Sequence, residues 1–220
     1  PKSKYKTEAY RILGENSYHQ QNWDDVIIYL SKYANNEEKI QRSDMYMLGI
    51  AYYMKQKYSN AIGSLGRVTT EQDSLSQNAY IFIGHSYLKL NQPSNARMAF
   101  QNCSQQSFDK KLQEEALYNY ALATYESKAP FGETIKAFEK FIEKYPKSSH
   151  SDDILERMAD AYISDKNYAE ALKSISKISN LTTKLIQAKE QALFQMGVSE
   201  FQKNNFAEAK NWFTQSIDLY

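Results

Sequence analysis

The apolar positions of this sequence follow helical spacing, and the same arrangement recurs along most of the chain. In its best two instances, a large residue stands four places before a glycine, another stands directly before it, and an aromatic residue follows three places later. These sets are Met45, Leu48, Gly49, Tyr52 and Tyr80, Ile83, Gly84, Tyr87. Apolar residues at intervals of three and four line one face of an α-helix. The pattern therefore predicts an amphipathic helix with a small residue near its centre.

The central small residue marks successive copies of this helix. Six such residues are separated by 35, 35, 37, 38 and 38 positions: Gly14, Gly49, Gly84, Ala121, Ala159 and Gly197. In five of the six copies, a second small or β-branched residue lies twelve places later, with a bulky residue four places beyond it. Each copy is thus predicted to contain two helices joined by a short polar turn. Because glycine within a helix costs about 1 kcal/mol relative to alanine, we expect Gly49 at a helix crossing, opposite Ala61.

The fourth copy departs from this pattern in its turn. The offset from Ala121 to Thr134 is thirteen rather than twelve, and the extra residue falls within the segment 129–132, Ala-Pro-Phe-Gly. Proline removes a backbone donor, and glycine is a poor helix former. Pro130 and Gly132 are therefore both predicted to interrupt the helix.

The composition favours an all-α protein and argues against two classes of partner. Only 7 glycines and 4 prolines occur in 220 residues, fewer than sheets joined by tight turns normally use. The net charge of +1, from 27 basic and 26 acidic residues, gives no overall attraction to nucleic acid. No run approaches the roughly 18 apolar residues of a membrane-spanning helix, so we expect neither a nucleic-acid partner nor membrane insertion.

The order large-x2-Leu-Gly-x2-Tyr, then Ala-x3-Phe, then Pro, resembles the tetratricopeptide repeat. The resemblance implies an all-α, right-handed α-solenoid of about six helix-turn-helix units, whose concave groove is formed mainly by the first helices. It predicts one solenoid domain over residues 1–220, with repeats at 7–40, 42–75, 77–110, 114–149, 152–186 and 190–220. The segment 138–163, which contains Tyr145-Pro146, also resembles repeats of bacterial cell-envelope proteins of the Tol-Pal-associated and outer-membrane-assembly kinds. That likeness favours the bacterial periplasm or cell envelope, with the cytoplasm as the alternative.

The family resemblance also implies which positions of each repeat face the groove. The partner-binding residues predicted in this way are Tyr46, Ile50, Tyr53, Ile81, His85, Tyr118, Leu122, Tyr125, Asp153, Glu156 and Asp160. Tyrosine offers a large contact area with few rotatable bonds, which suits a peptide-binding surface. The three acidic residues either select a basic partner or form a solvated face. The tyrosines at the twelfth position of a repeat either contact a partner or pack against the next repeat.

The function predicted from these observations is a non-enzymatic scaffold that binds a peptide segment or partner helix in the groove. No cofactor or metal is expected. The three histidines, His19, His85 and His150, are widely separated, neither His19 nor His85 has an acidic residue at metal-ligand spacing in an identifiable motif, and the glycines form no phosphate-binding loop. Cys103 is expected to be a buried structural thiol. Two alternatives stand beside the scaffold: a glycan-binding helical protein of the bacterial envelope, and a purely architectural segment of a longer array.

The two ends of the chain suggest a fragment of a longer array. The sequence begins without methionine and in the middle of a repeat pattern, and no polar capping helix follows the last predicted helix, residues 206–219. Repeat arrays normally need such caps to cover their terminal apolar surfaces. We therefore expect weak self-association through uncapped ends.

Overall fold

The computed structural model describes residues 4–35 and 40–219, and all regular structure within them is helical. Residues 36–39 of the expected first repeat and Tyr220 of the last lie outside the described residues. The helices of the described part are α1 (Lys4–His19), α2 (Trp23–Ala34), α3 (Arg42–Met54), α4 (Tyr58–Gly66), α5 (Ser74–Lys89), α6 (Pro93–Gln105), α7 (Lys110–Glu126), α8 (Phe131–Lys144), α9 (Ser151–Ser164), α10 (Tyr168–Ile175), α11 (Thr183–Gln202) and α12 (Phe206–Ile217).

The helices form two compact units, Pro1–Lys128 and Ala129–Tyr220. In the N-terminal unit, each of α1 to α6 packs on the helix that follows it, and the alternate helices α1, α3, α5 and α7 also contact one another in that order. In the C-terminal unit, each of α8 to α11 packs on the helix that follows it, and α9 also contacts α11. This alternation of paired helices confirms the predicted all-α solenoid fold.

Gly49 lies at a close crossing of α3 and α4, as predicted, but its partner differs from the expected one. A Cβ atom built on Gly49 would lie 2.6 Å from Cγ of Leu65 and 3.3 Å from the Leu65 backbone nitrogen. Ala61 is fully buried, one helical turn earlier on the same side of α4. The absence of a side chain at Gly49 therefore makes room for Leu65 rather than for Ala61.

The same contact recurs wherever the central small residue is glycine. Added Cβ atoms would meet Leu30 at Gly14, Phe100 at Gly84 and Phe213 at Gly197. Each of these bulky residues stands sixteen positions after its glycine. The recurrent glycine thus gives each of these helix pairs space for one large side chain from the second helix.

Two positions after the last residue of the first helix in each pair, the backbone has left-handed geometry at a residue that is not glycine. These residues are Gln21, Gln56, Asn91, Lys128, Lys166 and Asn204, with φ between 55° and 64°. At the end of α3, the Lys57 amide donates to the Tyr52 carbonyl at 2.8 Å. The Gln56 amide donates to the Tyr53 carbonyl at 2.9 Å. These two bonds form a Schellman motif, which satisfies carbonyl groups at the helix end.

We expect Gln56→Gly to stabilise the N-terminal unit by about 0.5–1 kcal/mol. A non-glycine residue in the left-handed region costs about 1–2 kcal/mol, and the greater freedom of glycine in the unfolded chain offsets part of the gain. Denaturant titration followed by circular dichroism would measure the change. Gln101→Gly, at an exposed position within α6, is the matched control and should instead lose about 1 kcal/mol. Equal effects at both positions would contradict the cap geometry.

The prediction that both Pro130 and Gly132 interrupt the helix is half correct. Helix α8 begins at Phe131, so only Pro130 lies in the turn, where its carbonyl accepts hydrogen bonds from the amides of Glu133 and Thr134 at 2.9 and 3.1 Å. Gly132 is helical, and a Cβ atom there would have no neighbour within 4 Å. Burial of Phe138 and Phe141 further along α8 outweighs the helix cost of about 1 kcal/mol for one glycine in the first turn.

Candidate partner-binding face

The predicted groove residues fall into two separate groups. Helices α3, α5 and α7 of the N-terminal unit carry Tyr46, Ile50, Tyr53, Ile81, His85, Tyr118, Leu122 and Tyr125, whereas α9 of the C-terminal unit carries Asp153, Glu156 and Asp160. We call the side of α1, α3, α5 and α7 that presents the first group the first-helix face.

Side-chain interactions connect the predicted positions across the first-helix face. Tyr18 of α1 acts on the pKa of Tyr46 of α3, and Glu115 of α7 interacts with both Tyr53 of α3 and His85 of α5. Because α1, α3, α5 and α7 lie side by side, residues far apart in sequence meet here. The face is thus a continuous surface of the N-terminal unit.

Two of the predicted groove residues contribute mainly to the core. Ile50 is 6% exposed and Ile81 is 3% exposed, so both offer little surface to a partner. Tyr46 is half-buried, and burial raises its pKa to about 12. Tyr118 and Leu122 are also half-buried, and Tyr125 is 38% exposed. The accessible apolar surface therefore lies mostly on α7.

Tyr53 is shared between packing and surface. Its ring makes edge contacts with Phe82 of α5 at 5.1 Å and with Tyr58 of α4 at 5.7 Å between ring centroids. Burial raises the pKa of Tyr53, and the nearby carboxylate of Glu115 acts in the same direction. Tyr53 thus connects two successive repeats while part of its ring reaches the first-helix face.

His85 and Glu115 form a polar pair in the middle of this face. Nε2 of His85 lies 3.4 Å from Oε1 of Glu115, and the imidazole contacts the edge of Phe100 at 5.2 Å. Burial lowers the pKa of His85, although Glu115 opposes this change. The carboxylate of Glu115 is about half exposed, so it lies beside the tyrosines within reach of a partner.

A second acidic group lies where α1 meets α3. Arg11 pairs with Glu8 at 2.8 Å and Glu15 at 3.0 Å, and its guanidinium lies 3.9 Å from the buried carboxylate of Asp44. Burial raises the pKa of Asp44, while the charge of Arg11 and the hydroxyl of Tyr33 oppose that rise. One arginine thus faces three carboxyl groups. Asp44 was missed by sequence reasoning because it stands one place outside the groove positions that the family pattern indicates.

The acidic residues of α9 are paired within the C-terminal unit. Lys184 Nζ lies 2.5 Å from Oδ2 of Asp160 and 3.6 Å from Oε1 of Glu156, and Arg157 bonds Asp153 at 3.0 Å. Lys184 belongs to the first turn of α11, at a position that the groove pattern does not include. These internal cations reduce the attraction of α9 for a basic partner.

Two family models match the sequence, and both describe the tetratricopeptide repeat. One matches residues 115–148, and the other matches residues 77–109 and 190–220. Each matched segment covers parts of two successive helices of the fold described above. The chain therefore contains tetratricopeptide repeats. This repeat is typically a non-enzymatic protein-interaction scaffold, so the chain belongs to a class of proteins that bind protein or peptide partners.

Solved structures share the fold of this tetratricopeptide repeat protein at low sequence identity. YrrB, described as a TPR protein with an unusual peptide-binding site, is 16% identical over 82% of this chain and 84% of its own, with a TM-score of 0.59. The C-terminal part of a TPR repeat-containing protein from Cytophaga hutchinsonii is 16% identical over 96% and 78%, with a TM-score of 0.57. MamA from Desulfovibrio magneticus RS-1 is 18% identical over 84% and 96%, with a TM-score of 0.54. At such identities the likeness concerns the fold alone.

Comparison with curated protein sequences gave no match. Within residues 4–35 and 40–219, no group of three or more histidine, cysteine, aspartate or glutamate residues is placed to hold a metal ion. Across the same described residues, no helix combines the length and apolarity needed to cross a membrane. Cys103 is buried, and burial raises its pKa to about 12. A thiol with this pKa is a poor nucleophile.

Proposed function

We propose that the tetratricopeptide repeat protein binds a peptide segment or partner helix on the first-helix face of the N-terminal unit, and that this partner carries basic residues. The observation that supports the proposal most directly is the position of Glu115, an exposed carboxylate that interacts with Tyr53 and His85 and lies on the same helix as Tyr118 and Leu122. Partly exposed tyrosine rings provide contact area for a partner, and the nearby carboxylate provides selectivity for a partner of opposite charge.

The charge balance of the first-helix face favours a cationic partner. The family pattern directs the second, fifth, ninth, twelfth and thirteenth positions of each repeat toward the groove. In this unit the acidic side chains at those positions are Glu8, Glu15, Glu115 and Glu126, and the basic ones are Arg11 and Lys89. Lysine and arginine side chains also interact favourably with the faces of tyrosine rings. In contrast, Lys184 and Arg157 already pair with the acidic residues of α9. We therefore assign the selection of a basic partner to the N-terminal unit rather than to the three acidic residues of α9.

A displayed library of random peptides, selected on the purified full chain, would test the proposal. We expect enriched peptides to contain lysine or arginine together with apolar residues. The double variant Tyr118→Ser, Leu122→Ser should weaken their binding at least tenfold, because two of the apolar contacts that α7 offers to a partner are removed. Glu115→Gln should weaken binding less and should reduce its dependence on salt concentration.

Met98→Ser is the matched control for these variants, because Met98 is exposed on the second helix α6. It should leave peptide affinity unchanged. Thermal melts of all variants would show whether the fold is retained. Enriched peptides without basic residues would contradict the charge selection. Equal affinity for the wild type and the α7 double variant would contradict the face itself.

Three expectations from the sequence stay predictions: one solenoid domain over residues 1–220, weak self-association through its ends, and location in the bacterial cell envelope.

A further inference from the structure

A polar cleft lies between two inter-repeat loops of the N-terminal unit, separate from the predicted groove residues. One wall is the loop 69–72 between α4 and α5, and the other is the segment 105–108 between α6 and α7. The cleft has a volume of about 440 Å³. This value lies within the range of about 300–1,000 Å³ that is typical of small-molecule pockets.

The first wall is fixed by Arg42 at the start of α3. Its guanidinium donates to the Val68 carbonyl at 2.7 and 2.8 Å, to Asp73 at 2.6 and 3.0 Å, and to Ser76 at 2.7 Å. Asp73 also caps α5 by accepting a hydrogen bond from the Ser76 amide. Arg42 holds the pKa of Asp73 well below its usual range. The guanidinium further pairs with Glu71 at 2.9 Å, which orients a carboxylate that lines the cleft.

The second wall is fixed by the fully buried side chain of Gln77. Its Nε2 atom donates to the carbonyls of Gln106 and Asp109, both at 3.0 Å, and its Oε1 atom accepts from the Asp109 amide at 2.8 Å. The backbone of the segment 106–109 is therefore held by one side chain. Both walls are thus rigid before any ligand binds, which reduces the ordering cost of binding.

The side chains that line the cleft favour a ligand with many hydroxyl groups. Gln72, Asn102 and Gln105 supply amides that can both donate and accept hydrogen bonds, and Glu71 supplies an acceptor. Tyr80 and Phe108 add two aromatic rings, and Phe108 is 57% exposed although it lies in a polar loop. Aromatic rings pack against the C–H faces of sugars, while amides and carboxylates bind their hydroxyls.

Two further features narrow the ligand class. The ten residues that line the cleft include no lysine, arginine or histidine, so the lining offers no side-chain cation to a phosphate or carboxylate ligand. The Oε1 atom of Gln106, another lining residue, is buried and accepts no hydrogen bond from the described residues. Buried acceptors of this kind normally have a donor. A hydroxyl group bound in the cleft is a donor of the kind that this oxygen lacks.

We propose that this cleft binds a neutral saccharide unit of a glycan. The proposal is independent of peptide binding on the first-helix face, because none of the predicted groove residues lines the cleft. The cleft requires no long loop insertion, since two short inter-repeat loops form its walls.

The test uses the purified full chain and an array of neutral mono- to tetrasaccharides, followed by calorimetric titration of any glycan retained. We expect saturable binding that Asn102→Ala and Phe108→Ala each weaken at least tenfold. Asn102 and Phe108 are both exposed, so these changes should leave the melting temperature nearly unchanged. Met98→Ser, on α6 but outside the lining, is the matched control and should leave glycan affinity unchanged.

The double variant Tyr118→Ser, Leu122→Ser separates the two proposals, because it should reduce peptide binding and leave glycan binding intact. No retained glycan, or binding that Asn102→Ala and Phe108→Ala leave unchanged, would overturn the saccharide proposal. Selection of a library peptide whose binding those two variants abolish would also overturn it, since the cleft would then be a polar peptide site.

Discussion

Gly49→Leu is expected to destabilise the N-terminal unit by more than about 3 kcal/mol, because extra volume in a close-packed helix crossing forces the helices apart. The new Cβ alone would lie 2.6 Å from Leu65 Cγ, whereas Cβ atoms essentially never approach another heavy atom closer than 3.0 Å. The Leu65 side chain cannot resolve the whole conflict, because its backbone nitrogen would be only 3.3 Å away. Denaturant titration and hydrogen exchange across α3 and α4 would measure the loss.

Gly63→Leu is the matched control for this substitution. Gly63 lies within α4, and a Cβ atom there would have no neighbour within 4 Å. Leucine is the better helix former, so this variant should be more stable than the wild type by about 0.5–1 kcal/mol. Similar losses at Gly49 and Gly63 would show that the crossing is not the cause. Full stability of Gly49→Leu would contradict the packing of α3 on α4.

Local spacing predicted the helix pairs because the packing that joins them recurs in each repeat. The interval from Gly49 to Leu65 is the same as that from Gly84 to Phe100, so both copies indicate one geometry. The error at Gly132 arose because a residue's helix preference is a weak effect that tertiary packing overrides. Periodicity also could not show whether Gly49 faces Ala61 or Leu65, since these two residues lie one turn apart on the same side of α4.

The candidate site could be predicted only in part, because exposure and charge pairing depend on neighbouring repeats. The family pattern placed Ile50 and Ile81 in the groove, but the packing of adjacent first helices buries them. It also identified the acids of α9 without Lys184, which approaches Asp160 from 24 residues further along the chain. Such contacts depend on the exact orientation of each helix, which a spacing rule does not determine.

The first-helix face and the two side chains that hold the cleft walls, Arg42 and Gln77, have different physical origins. Tyrosines on the first-helix face recur through the repeat pattern, so the family resemblance could indicate them. Arg42 and Gln77 each occur in one repeat and bond to backbone groups more than twenty-five residues away. A single sequence contains no signal for such a contact. The cleft between the two loops that these side chains hold was therefore visible only in the structure.

Gln77→Leu should destabilise the N-terminal unit by about 3 kcal/mol. The change places an apolar residue of similar size at a fully buried position, but it leaves the Asp109 amide and the Gln106 carbonyl without their side-chain partner, while the Asp109 carbonyl keeps its bond from the Gln113 amide. Each unsatisfied buried polar group costs about 1–3 kcal/mol, and partial access of water to the loop reduces the sum. Chemical denaturation would measure the total, and hydrogen exchange of the Asp109 amide would report on the loop directly.

Gln101→Leu provides the matched control, because Gln101 is exposed on α6 in the same unit. Its effect should stay within about 0.5 kcal/mol of the wild type. We expect the Asp109 amide to exchange faster in Gln77→Leu and at the wild-type rate in Gln101→Leu. Unchanged protection of that amide in Gln77→Leu would show that the loop does not depend on Gln77. The rigid second wall of the cleft would then need another cause, because Gln77 is the side chain that bonds to both ends of the segment 106–109.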